Sequence, residues 1–570
     1  MNTSQDSIIN IKIILVLIFI FGGITRITKA QVVYEHISNT GIYDYLDEMA
    51  NLNVVELNNV IKPYSREYIY TKLTEIVRYN ELRADNLNKR QLKDLAFYQT
   101  AYALEADVSL PFPAKTDLIK KSTGFATALN PVGLFYKDSV FSMALQPILG
   151  ASFSSNANGS LSHTWGGAAL FGYIGKNLGF YTNVRDNNES RLMIAPDYLQ
   201  RQQGVPVKNF GDKGVDYTEA RGGITYAWKW GTVGLVKDHV EWGLGYNGTN
   251  IQSGRTPSFA MIKLQLKPVR WFEFNYYHGT LVSEVIDSAR SYMTNNTHRV
   301  VYFQKYMAAN MFTFYPVKQL NFSFGNSIVY TNESGGGPHA AYLIPFLFYK
   351  SVDLTLSAND KGGYSGNNNQ FFFNISSRNI RHLHLYFSLF ADDISFSYLK
   401  DKDLYNSFSY KLGFRLSGLP VQNLTLTAEY TLTNPYVYQH HAETQNYTSN
   451  SYNMGHYLRD NAREYYFALK YIPVRGLAFE LAYTLAQHGD DYNINDPGAQ
   501  VHSDPVLNNI IWQNQQLQFN TRYEIVSNTW VFASFNYQNI TGQQDKIEKF
   551  TPAYYWGTTG TVNAGLCIGF

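Results

Sequence analysis

The chain has 570 residues with 47 Lys and Arg against 45 Asp and Glu, and this near-neutral balance without a basic patch predicts no nucleic-acid partner. Charged residues make up only 16%, against about 25% in soluble domains, whereas Tyr, Phe and Gly number 45, 36 and 42. The single cysteine, Cys567, excludes an internal disulfide.

The first thirty residues have the pattern of a secretory signal peptide. Lys12 precedes an apolar run from Ile13 to Phe21, and Ala30 places a small residue directly before Gln31. The run is well short of the roughly 20 residues that span a bilayer, which disfavours a transmembrane anchor. We predict cleavage between Ala30 and Gln31, which leaves 44 basic and 44 acidic side chains.

Residues 31–115 are predicted to form a periplasmic helical bundle. Apolar residues recur at helical spacing in three segments, of which Ser65 caps the second and the third begins near Asn88. The apolar faces consist of Ile42, Tyr43, Leu46, Met49 and Ala50, then Ile69, Leu73, Ile76 and Val77, then Leu92, Leu95, Tyr98 and Tyr102. Pro111 and Pro113 end the region.

Residues 116–570 are predicted to form a β-barrel, because the apolar period changes to two from about residue 135. Between Leu424 and Leu432, for example, Ala428 and Tyr430 share the face of the leucines, and Glu429 shares the face of the threonines. A strand of this kind fits either a soluble sandwich or a barrel with an aqueous lumen and a lipid-facing wall.

The connections between strands favour the barrel. Short Pro-Val turns recur at 267–270, 315–318, 419–422 and 472–475, and further short turns are predicted near Lys176, Trp230, Ser351, Asn379 and Asn528. Long polar loops lie between them at 187–218, 241–257, 433–463 and 486–514. Short turns that alternate with long loops are typical of outer-membrane barrels. The number of short turns predicts about 18, and at most 20, antiparallel strands.

The last ten residues favour a location in the cell outer membrane. Val562, Ala564, Leu566, Ile568 and Phe570 form one apolar face, and the chain ends on the aromatic Phe570. Such a strand is the usual signal for the outer-membrane insertion machinery. A closed barrel also leaves no unpaired strand edge in the outer-membrane lipid, where each unmet backbone group costs several kcal/mol.

No motif in the sequence predicts catalysis or a cofactor. Gly243-Leu-Gly-Tyr-Asn-Gly248 matches the dinucleotide fingerprint, but no helix follows it, so the glycines are expected to let a loop fold tightly inside the barrel mouth. In each of the pairs Asp392–Asp393 and Asp490–Asp491, the two neighbouring side chains point to opposite faces of a strand. Neither pair can therefore form the carboxylate pair of a glycosidase by itself. Gly-x-Ser-x-Gly and His-Glu-x-x-His do not occur. We predict that the protein is not an enzyme.

His382 and His384 are predicted to share the lumen face of a strand, because Leu383 and Leu385 occupy the other face. A metal site would need a clear third ligand, so we interpret both as polar lumen residues.

Aromatic side chains beside amides and hydroxyls suit the faces of sugars, through stacking and hydrogen bonds. The candidate glycan ligands in the loops are Trp242, Tyr246, Tyr364, Tyr436, Tyr438 and His440. The alternative is that these rings belong to the interfacial girdles found in any barrel.

The sequence resembles the Wzi family of capsule-assembly outer-membrane proteins, in the form common among Bacteroidetes. The stretches that carry the resemblance are Ile42–Leu52, Lys62–Arg66, Ala220–Tyr226, Lys237–His239, Trp242–Gly245, Ser253–Phe259, Trp271–Gly279 and Pro435–His440. The resemblance implies a barrel of about 18 strands with a periplasmic helical bundle. It also implies a non-enzymatic surface lectin that helps attach capsular polysaccharide.

Three functions follow as hypotheses. The first is an outer-membrane barrel that binds capsular polysaccharide or exopolysaccharide and attaches it to the cell surface. The second is a structural component of a gliding-motility or adhesion apparatus, because some relatives are linked to motility and the helical bundle could dock a periplasmic protein. The third is a diffusion channel.

Overall fold

The computed structural model describes residues 31–83, 87–106, 125–207, 214–331, 337–356, 366–395, 397–398, 400–401 and 403–569. The predicted signal peptide with Ala30, the candidate ligand Tyr364 and the terminal Phe570 lie outside the described residues.

Three helices follow one another near the N-terminus, as predicted. They are α1 (Thr40–Asn51), α2 (Arg66–Leu82) and α3 (Lys89–Ala101). The side chain of Ser65 accepts a hydrogen bond from the backbone N–H of Tyr68 and so caps α2. Asn88 and Gln91 form a reciprocal capping box at the start of α3.

The predicted apolar faces form the core of the bundle, with one exception. Ile42, Leu46, Ile69 and Leu73 are fully buried. Leu92, in contrast, is 38% exposed, so its assignment to the core was wrong. The buried face of α3 includes Arg90 and Asp94 instead, and this turns Leu92 outward.

Eighteen antiparallel strands close into a barrel, which confirms the predicted fold and count. We number them β1 (Phe141–Asn156), β2 (Gly159–Ile174), β3 (Leu178–Glu189), β4 (Val215–Trp228), β5 (Gly231–Asp238), β6 (Phe259–Val269), β7 (Phe272–Ile286), β8 (Tyr302–Val317), β9 (Leu320–Thr331), β10 (Asn368–Ser377), β11 (Leu383–Asp393), β12 (Ser407–Ser417), β13 (Leu424–Thr433), β14 (Ala462–Val474), β15 (Leu477–His488), β16 (Trp512–Val526), β17 (Thr529–Gly542) and β18 (Thr558–Ile568). Each strand pairs with the next, and β18 pairs with β1.

One of the predicted turns was wrong, and this explains why the count is not 20. Ser351 lies in a helix, α4 (Tyr349–Leu356), within the connection between β9 and β10. A second short helix, α5 (Gln544–Phe550), lies between β17 and β18. We call the end of the barrel with the short turns the turn end and the opposite end the loop end.

The barrel wall is apolar outside and polar inside. On β12, Leu412 is 57% exposed whereas its neighbour Lys411 is fully buried in the lumen. On β18, Val562 and Leu566 are 55% and 46% exposed. Among the described residues, no helix is both long enough and apolar enough to span a membrane.

A short hairpin precedes the barrel and shares an edge with the last strand. It consists of Phe125–Leu129 and Val132–Lys137. The second hairpin strand pairs with residues 142–145 of β1, near the turn end, and β18 pairs with residues 149–155 of the same edge. The hairpin strand and β18 therefore pair with successive stretches of the same edge of β1, separated by the short gap between residues 145 and 149.

Part of the connection between β9 and β10 packs against the outside of the wall. We call residues 337–356 the outer clamp. The ring of Phe346 stacks on outward-facing Phe274, with centroids 4.3 Å apart. Asn310, on β8, donates hydrogen bonds to the carbonyl oxygens of Pro345 and Leu347 at 3.0 and 2.9 Å. These bonds satisfy backbone groups that would otherwise face lipid.

The lumen is filled from two sides. The helical bundle closes the turn end: the backbone N–H of His382 donates to Asn51 O, and Asn88 bonds to Asn423 in the turn after β12. The connection between β5 and β6, residues 239–258, folds inward, and we call it the inner loop. Its residue Trp242 pairs with both Ile61 and Gln252 in a three-stranded sheet.

Candidate functional site

A cavity of about 550 Å³ occupies the loop-end half of the lumen. We call it the outer cavity. Its wall is formed by amide and hydroxyl side chains on consecutive strands: Ser152 and Ser154 on β1, Asn514, Gln516 and Gln518 on β16, Ser534, Asn536 and Gln538 on β17, and Thr561 and Asn563 on β18. They share one face because inward side chains alternate along each strand.

The amide side chains of this wall form hydrogen bonds with one another, but not all of their polar atoms have a partner. Gln516 donates to Asn536 at 2.7 Å, and Asn536 donates to Gln538 at 2.8 Å. The Oδ1 atom of Asn514 is buried without a hydrogen-bond partner in the part of the chain that the structure describes. Partly exposed Tyr198 and Tyr555 add aromatic surface to the lining. A wall of this kind can bind several hydroxyl groups of one ligand.

The loops of the loop end cover the outer cavity. Residues 191–205 of the connection between β3 and β4 line one side, and the segment from Phe550 to Tyr555 lines another. The two segments meet where the N–H of Leu199 donates to Phe550 O at 3.0 Å.

A second cavity of about 360 Å³ lies toward the turn end, between the helical bundle and strands β13–β16. We call it the inner cavity. Asn520, Arg522 and Glu524 of β16 line it, and they continue the row of Gln516 and Gln518 in the outer cavity. The side chain of Arg201 lines both cavities and so lies between them.

Glu429, on β13, holds the inner loop in the lumen. Its carboxylate accepts hydrogen bonds from the backbone N–H groups of Tyr246 and Asn247 at 2.5 and 2.9 Å. Lys411 lies 3.0 Å from the same carboxylate, and the Lys411 and Glu429 side chains are fully buried. The carboxylate of this ion pair therefore holds the glycine-rich turn of the inner loop, residues 243–248, in the lumen.

That turn depends on its glycines, as predicted. Gly243 and Gly248 have φ values of 106° and 88°, in the left-handed region that favours glycine. A Cβ atom at Gly245 would collide with the carbonyl oxygen of Gly248. No helix follows the turn.

Comparison with known proteins identifies the family. The family model for capsule assembly protein Wzi matches residues 222–549, more than half of the chain. The chain belongs to the Wzi family. This stretch contains the inner loop and strands β5–β17. No curated protein matches the chain.

Several solved structures resemble this chain. Escherichia coli Wzi, described as a carbohydrate-binding β-barrel involved in group 1 capsule assembly, is 11% identical, with a TM-score of 0.56 over 95% of this chain and all of its own. Pseudomonas aeruginosa OccD3 has a TM-score of 0.40, 12% identity and coverage of 74% and 90% of the two chains. Acinetobacter baumannii OccAB4 has a TM-score of 0.41, 8% identity and coverage of 75% and 97%.

In this Wzi-family barrel three of the six candidate glycan ligands predicted from the sequence are packed inside the protein. Trp242, Tyr436 and Tyr438 are 1%, 3% and 4% exposed. Trp242 packs edge-on against Tyr277, and Tyr436 stacks on Tyr492. The three side chains are therefore covered by protein.

Two other members of that set are only partly buried. Tyr246 lies at the centre of the lumen, with its hydroxyl 2.9 Å from Asp47 Oδ2. His440 lies in the loop between β13 and β14, where burial lowers its pKa to about 4. It is therefore neutral at pH 7. Neither residue lines the outer cavity.

The two histidines predicted to share a lumen face are separated. His384 is fully buried in the lumen, 2.8 Å from Ser376 Oγ. His382 instead lies in the turn before β11, with a φ of 76°, and its Nδ1 atom is 2.7 Å from Ser417 O. The left-handed residue interrupts the alternation that predicted a shared face. Among the described residues, no group of three or more metal-ligating side chains occurs.

The outer cavity was missed at the sequence level, although a signal for it exists. Asn514, Gln516 and Gln518 alternate with Gln515, Leu517 and Phe519 along β16. An amide row on the lumen face of the last strands could have been identified from this spacing. Its closure into a cavity depends on β1, which is distant in sequence.

Proposed function

We propose that this Wzi-family protein binds a polysaccharide in the outer cavity and attaches it at the cell surface. The observation that carries the proposal is the amide-lined cavity at the loop end of the barrel. Its row of neutral donors and acceptors suits the hydroxyls of sugars, and partly exposed Tyr198 and Tyr555 offer rings for stacking. The family and the carbohydrate-binding E. coli relative support the same conclusion.

This proposal places the barrel in the outer membrane with the loop end outside. The exposed apolar side chains of the wall support contact with lipid, and the long connections at one end support the orientation. We further propose that the signal peptide is cleaved before Gln31 and that the protein acts without catalysis. The filled lumen favours attachment over a diffusion channel.

Binding of purified full-length protein to an array of bacterial polysaccharides tests the proposal. Gln516→Ala combined with Asn536→Ala should lower binding at least tenfold, because the two changes remove a hydrogen-bonded pair of amide groups from the cavity wall. Gln265→Ala serves as the matched control, since Gln265 lies at the turn end near Glu273. Equal binding by the double variant would contradict the assignment to this cavity.

A deletion strain tests the attachment role. It should synthesise surface polysaccharide but release it into the medium. Unchanged retention at the surface would count against attachment, even if the purified protein binds sugars.

A further inference from the structure

The charged groups of the outer cavity are unevenly paired. Three guanidinium groups and two carboxylates line it: Arg185, Arg191, Arg201, Glu189 and Glu219. Arg185 forms a salt bridge with Glu219. Glu189 accepts a hydrogen bond from the Tyr217 hydroxyl at 2.6 Å and lies 3.9 Å from His163 Nε2. Both carboxylates are therefore already in contact with other groups.

Arg191 and Arg201 have neither a side-chain hydrogen bond nor an ion pair to any of the residues that the structure describes. The carboxylates that act electrostatically on Arg201 from strands β14 and β15 are Glu464 and Glu480. Glu464 contacts Lys411 and His456, and Glu480 lies 3.8 Å from Lys470. With three guanidinium groups against two carboxylates, the lining carries an excess of one positive charge next to a wall of neutral amides.

We infer that the outer cavity binds an acidic saccharide, with Arg191 and Arg201 as the groups that recognise its carboxylates. This inference rests on the proposed function and specifies its ligand. A guanidinium is planar and donates two parallel hydrogen bonds to a carboxylate, whereas the amide wall binds hydroxyls irrespective of charge. Arg201 lies at the deep end of the outer cavity, because it also lines the inner cavity. A carboxylate-bearing unit is held there.

The test compares an oligogalacturonate with its carboxyl-reduced counterpart, on the full-length protein in detergent. The wild-type protein should bind the acidic probe at least tenfold more tightly. Arg191→Gln and Arg201→Gln should each remove most of that preference, and Arg201→Lys should retain part of it, since it keeps the charge but not the fork. Arg299→Gln, in an exposed hairpin, is the matched control and should change nothing.

The outcomes separate the inference from the proposed function. Equal binding of the acidic and reduced probes would overturn the inference and leave a saccharide site in place. An acidic preference that survives in both Arg→Gln variants would overturn the assignment to Arg191 and Arg201. Binding of neither probe would count against the saccharide site itself. The shift in gel mobility between heated and unheated samples verifies that each variant is a folded barrel.

Discussion

The hydroxyl of Tyr246 donates to the carboxylate of Asp47, with 2.9 Å between the oxygen atoms, and so connects the inner loop to helix α1 in the middle of the lumen. His384 Nδ1 lies 2.8 Å from the same hydroxyl. Nη2 of Arg378 lies 3.3 Å from the same ring nitrogen and donates to Asp47, so the tyrosine hydroxyl and the arginine share one carboxylate. The inner loop and the helical bundle, which together fill the lumen, are therefore joined through this hydroxyl.

Tyr246→Phe should loosen the inner loop without altering the barrel. The variant keeps the ring beside Arg415 but loses hydrogen bonds to a charged partner, at a cost of about 1.5 to 3 kcal/mol. Hydrogen exchange of residues 239–258 should become faster, and exchange of the strands should not. Tyr292→Phe, in an exposed hairpin, is the control. Unchanged exchange of the loop would contradict a role for the hydroxyl.

Removal of the inner loop should open the barrel. Wild-type protein in liposomes should admit small sugars slowly, because the loop and the bundle fill the lumen. Replacement of residues 243–251 by a short Gly-Ser linker should increase the swelling rate several-fold. Replacement of residues 291–299, in the hairpin between β7 and β8, is the control. Equal swelling by both variants would show that the bundle alone closes the lumen.

Asn310→Ala should release the outer clamp. The asparagine donates to two clamp carbonyls, and each unmet backbone group in lipid costs several kcal/mol. Protease cleavage within residues 337–356 should become much faster in proteoliposomes, while the barrel stays intact because its strand pairs are unaffected. Asn188→Ala, at an exposed position on β3, is the control. A clamp that remains resistant would show that its other contacts, such as those of Tyr342 with Tyr276 and of Tyr349 with Asn326, are sufficient to hold it.

Acid should weaken docking of the helical bundle through Asp44. This α1 carboxylate is buried, which by itself would raise its pKa, but Lys470 at 2.5 Å and Arg415 at 3.3 Å outweigh burial and lower the pKa to about 2. In the unfolded chain an aspartate has a pKa of about 3.9. The stabilising contribution of Asp44 is therefore fully present above roughly pH 4 and is lost as the pH falls toward 2. It amounts to about 2 kcal/mol.

Pepsin digestion between pH 4.5 and pH 2 measures this effect. Cleavage within residues 31–106 should rise as the pH falls in the wild-type protein, and Asp44→Asn should already be cleaved faster at pH 4.5. Glu75→Gln removes only an exposed pair with Lys72 and should behave like the wild type. An Asp44→Asn profile that coincides with the wild type would contradict the role of this carboxylate.

The strands and the N-terminal helices could be predicted from the sequence because their signals are local. Alternation at two residues identified β13, and Ser65 identified the start of α2. The course of the loops could not be predicted, because their partners are distant. Tyr436 is covered by Tyr492 and bonded to Asp504, which lie in a different loop. Ser351 was misassigned because the alternating run before it packs outside the wall and then turns into α4.

The hairpin before β1 has a consequence for how barrels behave beside one another. Between residues 142 and 145 the backbone of β1 is paired with the hairpin and not with β18. Without the hairpin, that stretch would offer unpaired N–H and C=O groups to its surroundings. Two neighbouring molecules could then join edge to edge at this point. By pairing this stretch, the hairpin removes an open strand edge from the barrel.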